Sequence, residues 1–153
     1  MNWKYNLGLK FKDIAQKNSN KLAIIIDNKR YNFKYLENKS FKVSKYFVNN
    51  LKLKPGDVVA LDSTKCIEAY IFLIACLRIG VAYVFIDPDN PKVRINKILK
   101  SVKPKFFFEK EQKKSNNYSN FVKTFSFEKI ISFLNKNKIT IKKDFTSFPS
   151  TNI

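Results

Sequence analysis

The sequence predicts an α/β fold: a doubly wound, mostly parallel sheet with flanking helices and a small N-terminal hairpin. Three observations carry this. Short β-branched and aromatic runs alternate with helical-period stretches across residues 58–108. Gly and Pro break the chain at 54–57, at 80 and at 87–91. The 153 residues are 44% hydrophobic, with 15 Phe and seven Tyr, enough to build one core and too apolar for wholesale disorder.

Residues 11–17 read as a short helix with Phe11, Ile14 and Ala15 on one face. Residues 22–26 form an apolar run, 27–29 a turn, and 30–32 pair back as a hairpin. Residues 33–51 place Phe33, Leu36, Val43, Phe47 and Leu51 at helical spacing, with Lys34, Lys39, Lys42 and Lys45 on other faces. This pattern fits a surface helix with a solvated basic side; a helix lying on a membrane shares it. Lys54-Pro55-Gly56-Asp57 is a turn, because proline presets φ and glycine accepts a positive φ. Residues 58–61 follow as a buried strand, and residues 67–79 as a helix stopped by Gly80. Residues 81–86 read as a second buried strand. Asn90 can cap the next helix with Pro91 in its first position, and that helix runs to about Val102. Pro104 ends it, and residues 105–108 begin a third strand. Residues 109–120 read as an exposed lysine-rich loop, 121–125 as a strand, 127–135 as a short helix and 142–153 as a loose tail. The expected division is therefore 1–108 and 109–153.

Composition removes several function classes. With no His, the imidazole base, the His–Cys zinc site and the Ser-His-Asp triad are unavailable. The net charge of +18 invites a polyanion partner, yet only Arg30, Arg78 and Arg94 are arginines and the lysines are scattered. Lys, Asn, Ile, Phe and Tyr together make 82 of the 153 residues, and all five have A/T-rich codons, so coding drift explains the charge without a specific nucleic-acid partner. Cys66 and Cys76 lie too far apart on a helix to bridge and read as buried reduced thiols, as expected of a cytoplasmic protein. Residues 1–11 lack a signal-peptide core. The apolar run 66–86 is interrupted by Glu68, Arg78 and Gly80, which fits a helix and a strand better than a transmembrane segment.

Several segments together resemble a known family. Leu77-Arg78-Ile79-Gly80-Val81-Ala82-Tyr83-Val84-Phe85-Ile86-Asp87-Pro88 is similar to the signature L-K-A-G-x-A-Y-V-P-I-D-P of adenylate-forming enzymes, and Asn90-Pro91-Lys92-Val93-Arg94 continues it like Y-P-x-x-R. Lys54-Pro55-Gly56-Asp57-Val58-Val59-Ala60-Leu61 resembles x-x-P-G-D-x-V-A-I, and Tyr31-Asn32-Phe33-Lys34-Tyr35-Leu36-Glu37 loosely resembles x-T-Y-x-E-L. Their order and spacing agree with the AMP-binding superfamily of acyl-CoA synthetases, luciferases and nonribosomal-peptide-synthetase adenylation domains. The form of the signature is most similar to the amino-acid-activating branch.

The resemblance implies the N-terminal stretch of an AMP-dependent synthetase or ligase. The intact enzyme would use ATP and Mg to join a carboxylic acid to AMP, then form a thioester on a carrier protein or CoA. Gly80, Ala82, Tyr83, Asp87, Pro88, Pro91 and Arg94 are signature residues with structural roles. No catalytic, cofactor-binding or metal-ligating residue is assigned within this chain. Phe85 stands where the family usually has proline, and the expected repacking costs about 1–3 kcal/mol. The family's Ser/Thr/Gly-rich phosphate loop has no counterpart here: glycines occur only at 8, 56 and 80, and Ser150-Thr151-Asn152-Ile153 resembles residues just upstream of that loop. Alone, the chain is expected to be inactive. One alternative is a split enzyme whose remaining adenylation-domain portion is a separate chain, with six Phe in residues 121–148 offering an apolar face. Another is a non-catalytic module binding anions through its basic surface.

Overall fold

The computed structural model of the chain describes residues 6–110 and 121–136. Helix α1 (Leu7–Lys17) leads to a hairpin of β1 (Leu22–Ile26) and β2 (Lys29–Asn32), then to α2 (Phe33–Asn49). The main sheet is built by β3 (Val58–Asp62), α3 (Ile67–Ile79), β4 (Ala82–Ile86), α4 (Lys92–Val102) and β5 (Phe106–Glu109). Strand β6 (Lys123–Ser126) and helix α5 (Phe127–Lys136) complete it.

Local signals explain most boundaries. Asn6 caps α1, its side-chain oxygen accepting from the Leu9 amide at 3.0 Å, so this helix begins well before residue 11. Asn32 caps α2 in the same way, accepting from the Tyr35 amide at 2.8 Å. Asp27 and Asn28, both at positive φ, make the tight turn between β1 and β2. Gly80 ends α3 in the left-handed conformation at φ 68°, which glycine adopts without a Cβ penalty. Helix α4 differs from expectation: Pro91, not Asn90, occupies its N-cap position, and no side chain bonds to its first turn.

The sheet order is β4-β3-β5-β6, with every pair parallel. From β3 the chain steps outward to β4 through α3. It then crosses back through α4 to β5 on the other side of β3. Residues alternate between the two faces. Val59, Leu61 and Phe108 join a core with α2, α3 and α5, whereas Ala60, Ile86 and Phe107 join a smaller core under α4.

The first core is aromatic. Phe47, Phe72, Phe108 and Phe127 are fully buried, and neighbouring rings approach within 4.7–5.5 Å. Helix α1 seats on α3 through Gly8, where a Cβ would lie 2.5 Å from the Arg78 Cα. Arg78 is itself buried and pairs with Glu37 of α2 at 2.7 Å, so the three helices are pinned at one point. Lys45, expected on the solvated side of α2, is also buried, its ammonium group 5.2 Å from the Phe41 ring centroid.

Two further expectations fail. Strand β4 lies at a sheet edge, and Tyr83 and Phe85 are 36% and 44% exposed rather than buried. The Phe85 ring therefore stands in solvent and needs no interior repacking. Glu109, expected at the start of an exposed loop, is instead the buried last residue of β5. Both cysteines are free and buried. No helix among the described residues is long and apolar enough to cross a membrane.

Candidate functional site

The carboxyl ends of the parallel strands carry three buried polar side chains, Asp62, Glu109 and Ser126. In open α/β sheets, ligands bind at this end, where successive connections leave in opposite directions. Here that point lies between β3 and β5, and each strand closes on a carboxylate. Leu61 is in register with Phe108, so Asp62 and Glu109 follow side by side. Both lie two residues beyond members of the α4-side core, Ala60 and Phe107, and so extend that face.

Asp62 is saturated with donors. One carboxylate oxygen accepts from the Thr64 amide at 2.7 Å and from the Thr64 hydroxyl. The other accepts from the Lys110 amide at 3.2 Å. Glu109 is less favoured as an anion: burial first, then the neighbouring Asp62 charge, push its pKa up to about 7, against a hydrogen bond with the Thr124 side chain. Near neutral pH Glu109 is thus partly protonated. Cys66, the N-cap of α3, is pushed up to about 11 chiefly by burial and stays a thiol. Burial also raises the Cys76 thiol. Among the described residues no group of three or more His, Cys, Asp or Glu could hold a metal ion.

The signature residues lie elsewhere and do different work. Gly80 caps α3, and its carbonyl accepts from the Gly56 amide at 2.9 Å, tying the Pro-Gly turn to the start of β4. Ala82 and Tyr83 lie on the exposed edge strand. Beyond it, the Asp87 side chain accepts from the Asp89 amide at 3.0 Å, and Pro88 is half-buried. The Pro91 carbonyl accepts from the Arg94 amide at 2.9 Å while Arg94 itself is exposed. These residues shape the path from α3 through β4 into α4. Sequence reasoning missed Asp62 and Glu109; the available signal was an acid closing each apolar strand, in Val58–Asp62 and Phe106–Glu109.

An open groove of about 280 Å³ lies at the far end of α4, lined by Leu99, Lys100, Lys103, Pro104 and Phe121. It lies away from the carboxylate pair, where α4 ends and β5 begins.

The profile of the family described as AMP-binding enzyme matches residues 11–146. Bacitracin synthase 2 from Bacillus licheniformis is 28% identical over 89 residues, covering 58% of this chain and 3% of that protein. Among solved structures, the Klebsiella oxytoca NpsA N-terminal subdomain superposes with a TM-score of 0.76 at 21% identity, over 87% of this chain and 34% of that one. The Bacillus subtilis O-succinylbenzoate coenzyme A synthetase, in complex with ATP and magnesium ion, superposes with a TM-score of 0.74 at 17% identity, over 86% of this chain and 34% of that one. The chain spans a small part of the curated relative and about a third of each solved structure.

Proposed function

Because the chain belongs to the AMP-binding enzyme family, we propose that it forms part of the N-terminal subdomain of an adenylate-forming ligase. The intact enzyme activates a carboxylic acid, in this reading an amino acid, as its acyl-adenylate with release of pyrophosphate. Transfer to the thiol of a carrier protein or of CoA then releases AMP. The observation that carries the reading is the signature segment folded as helix, left-handed glycine cap, parallel edge strand and turn, within a sheet similar to the NpsA subdomain.

Among the described residues no cradle for the phosphates of ATP is built. A phosphate cradle needs several glycine or hydroxyl-bearing residues whose amides converge. Gly8 is consumed in packing against Arg78, Gly56 turns the chain before β3, and Gly80 caps α3. ATP and Mg would be held by other parts of the enzyme, and no step is assigned to Asp62 or Glu109.

The test is amino-acid-dependent ATP–pyrophosphate exchange. The purified chain alone should give no exchange above a protein-free blank, and exchange should appear when the rest of an adenylation domain is joined to it. Exchange by the chain alone would overturn its assignment as a partial catalytic unit. A joined enzyme that folds, yet exchanges with no carboxylic acid supplied, would overturn the ligase reading.

A further inference from the structure

Strand β4 offers a docking edge that is complementary to itself. Its register with β3 is continuous from Val58↔Ala82 to Asp62↔Ile86, with no bulge. The Ala82 amide donates to the Asp57 carbonyl at 2.8 Å, and the Ile86 carbonyl accepts from the Ser63 amide at 2.9 Å. In a parallel ladder the N–H and C=O of one residue point to the same side, and sides alternate. Ala82, Val84 and Ile86 therefore face β3, and Tyr83 and Phe85 aim their backbone groups away from the sheet.

The same two residues carry the exposed rings, which touch each other edge to face at a centroid distance of 5.4 Å. Natural sheet edges are blunted by charges, prolines or bulges. The β4 sequence Ala-Tyr-Val-Phe-Ile has none of these, in a chain with 30 basic residues.

We propose that a second copy of the chain docks on this edge, β4 against β4, antiparallel about a two-fold axis at Val84. That axis sets Tyr83 opposite the partner's Phe85, and Phe85 opposite the partner's Tyr83. Each pair exchanges both of its N–H···O=C bonds, and the rings stack across the junction. The ends are complementary in charge. Asp87 and Asp89 are exposed just past the carboxyl end of β4. At its amino end, Pro55 lies against Gly80, where an added Cβ would be 3.4 Å from the proline ring, and this brings exposed Lys54 to the edge. Antiparallel docking places Asp87 by the partner's Lys54, twice by symmetry. The net charge of +18 is spread over the whole chain and is screened beyond about 8 Å at physiological salt.

Sedimentation equilibrium of the full chain tests this. The expected result is a concentration-dependent rise to twice the 18.0 kDa chain mass. Phe85→Lys should hold the chain at the single mass, and Ile25→Lys, a change at another exposed apolar residue on the separate hairpin, should leave the dimer intact. Asp87→Lys should weaken association severalfold, and adding Lys54→Asp to the same chain should restore it; this charge swap decides the matter if Phe85→Lys does not fold. A single-mass species at every concentration overturns the proposal. So does a dimer indifferent to both the Phe85 and the Asp87 changes, or Tyr83 and Phe85 amides that exchange equally fast in monomer and dimer.

Discussion

On one face of the sheet, α1, α2, α3 and α5 enclose a cluster of fully buried phenylalanines. On the other, α4 is the one described helix over Ala60, Ile86, Phe107 and Val122, and that face runs out at two carboxylates. The first face is held by ring contacts and by helices locked at Gly8, Glu37 and Arg78, so it resists change of volume. The second has little apolar material and carries a group that titrates. Stability of this chain should therefore depend on shape on one side and on pH on the other.

The largest effect should come from Phe72→Ala, which removes the ring that touches Phe47, Phe108 and Phe127. A loss of about 3–5 kcal/mol is expected in urea unfolding monitored by circular dichroism. A loss below 1 kcal/mol would mean that the aromatic face is not the main support.

Gly8→Ala comes next. Alanine is the better helix former, so propensity alone predicts a gain of about 1 kcal/mol. The Arg78 backbone instead stands where the methyl group must go. Forced displacement of α1 from α3 should reverse the sign, to a loss of roughly 1–3 kcal/mol, read as a lowered urea midpoint.

The smallest effect tests the thin face. Glu109 has a folded pKa of about 7, above its ordinary value of 4.5. Between those values the folded chain binds more protons than the unfolded chain. Its stability should fall as pH rises through that window and level off above about 7. Glu109→Gln should abolish this slope and raise stability at pH 8 by about 1 kcal/mol, given partial solvent screening at the sheet end. Unfolding midpoints at pH 5 and pH 8 that differ as much in Glu109→Gln as in the unaltered chain would remove the carboxylate pair from the account.

Much of the fold was legible because each element carries its own local signal. The Pro-Gly turn before β3, the glycine stop of α3 and the helical spacing in α2 act over a few residues and appear where they were expected. What was not legible depends on which strands become neighbours. An apolar run such as residues 82–86 reads the same at the centre of a sheet or at its edge; only the crossover from β4 back past β3 leaves it outside. The carboxylate pair was hidden for the same reason. Asp62 and Glu109 are 47 positions apart in sequence, and the register of β3 with β5 alone makes them neighbours. Helix α1 extends beyond its apolar spacing because Asn6, not the periodic face, sets its start.

The strand order has a consequence in time. Strand β3 is the first of the four-stranded sheet to be made, yet it sits between two later strands, β4 and β5. A ribosome adding about 5–20 residues per second needs roughly 2–9 s to travel from the end of β3 to the start of β5. Through that interval one flank of an uncharged Val-Val-Ala-Leu run has no partner from its own chain. The nascent polypeptide then carries an unpaired, adhesive strand flank, and a holding chaperone acting in those seconds should raise the yield of folded chain more than one supplied after release.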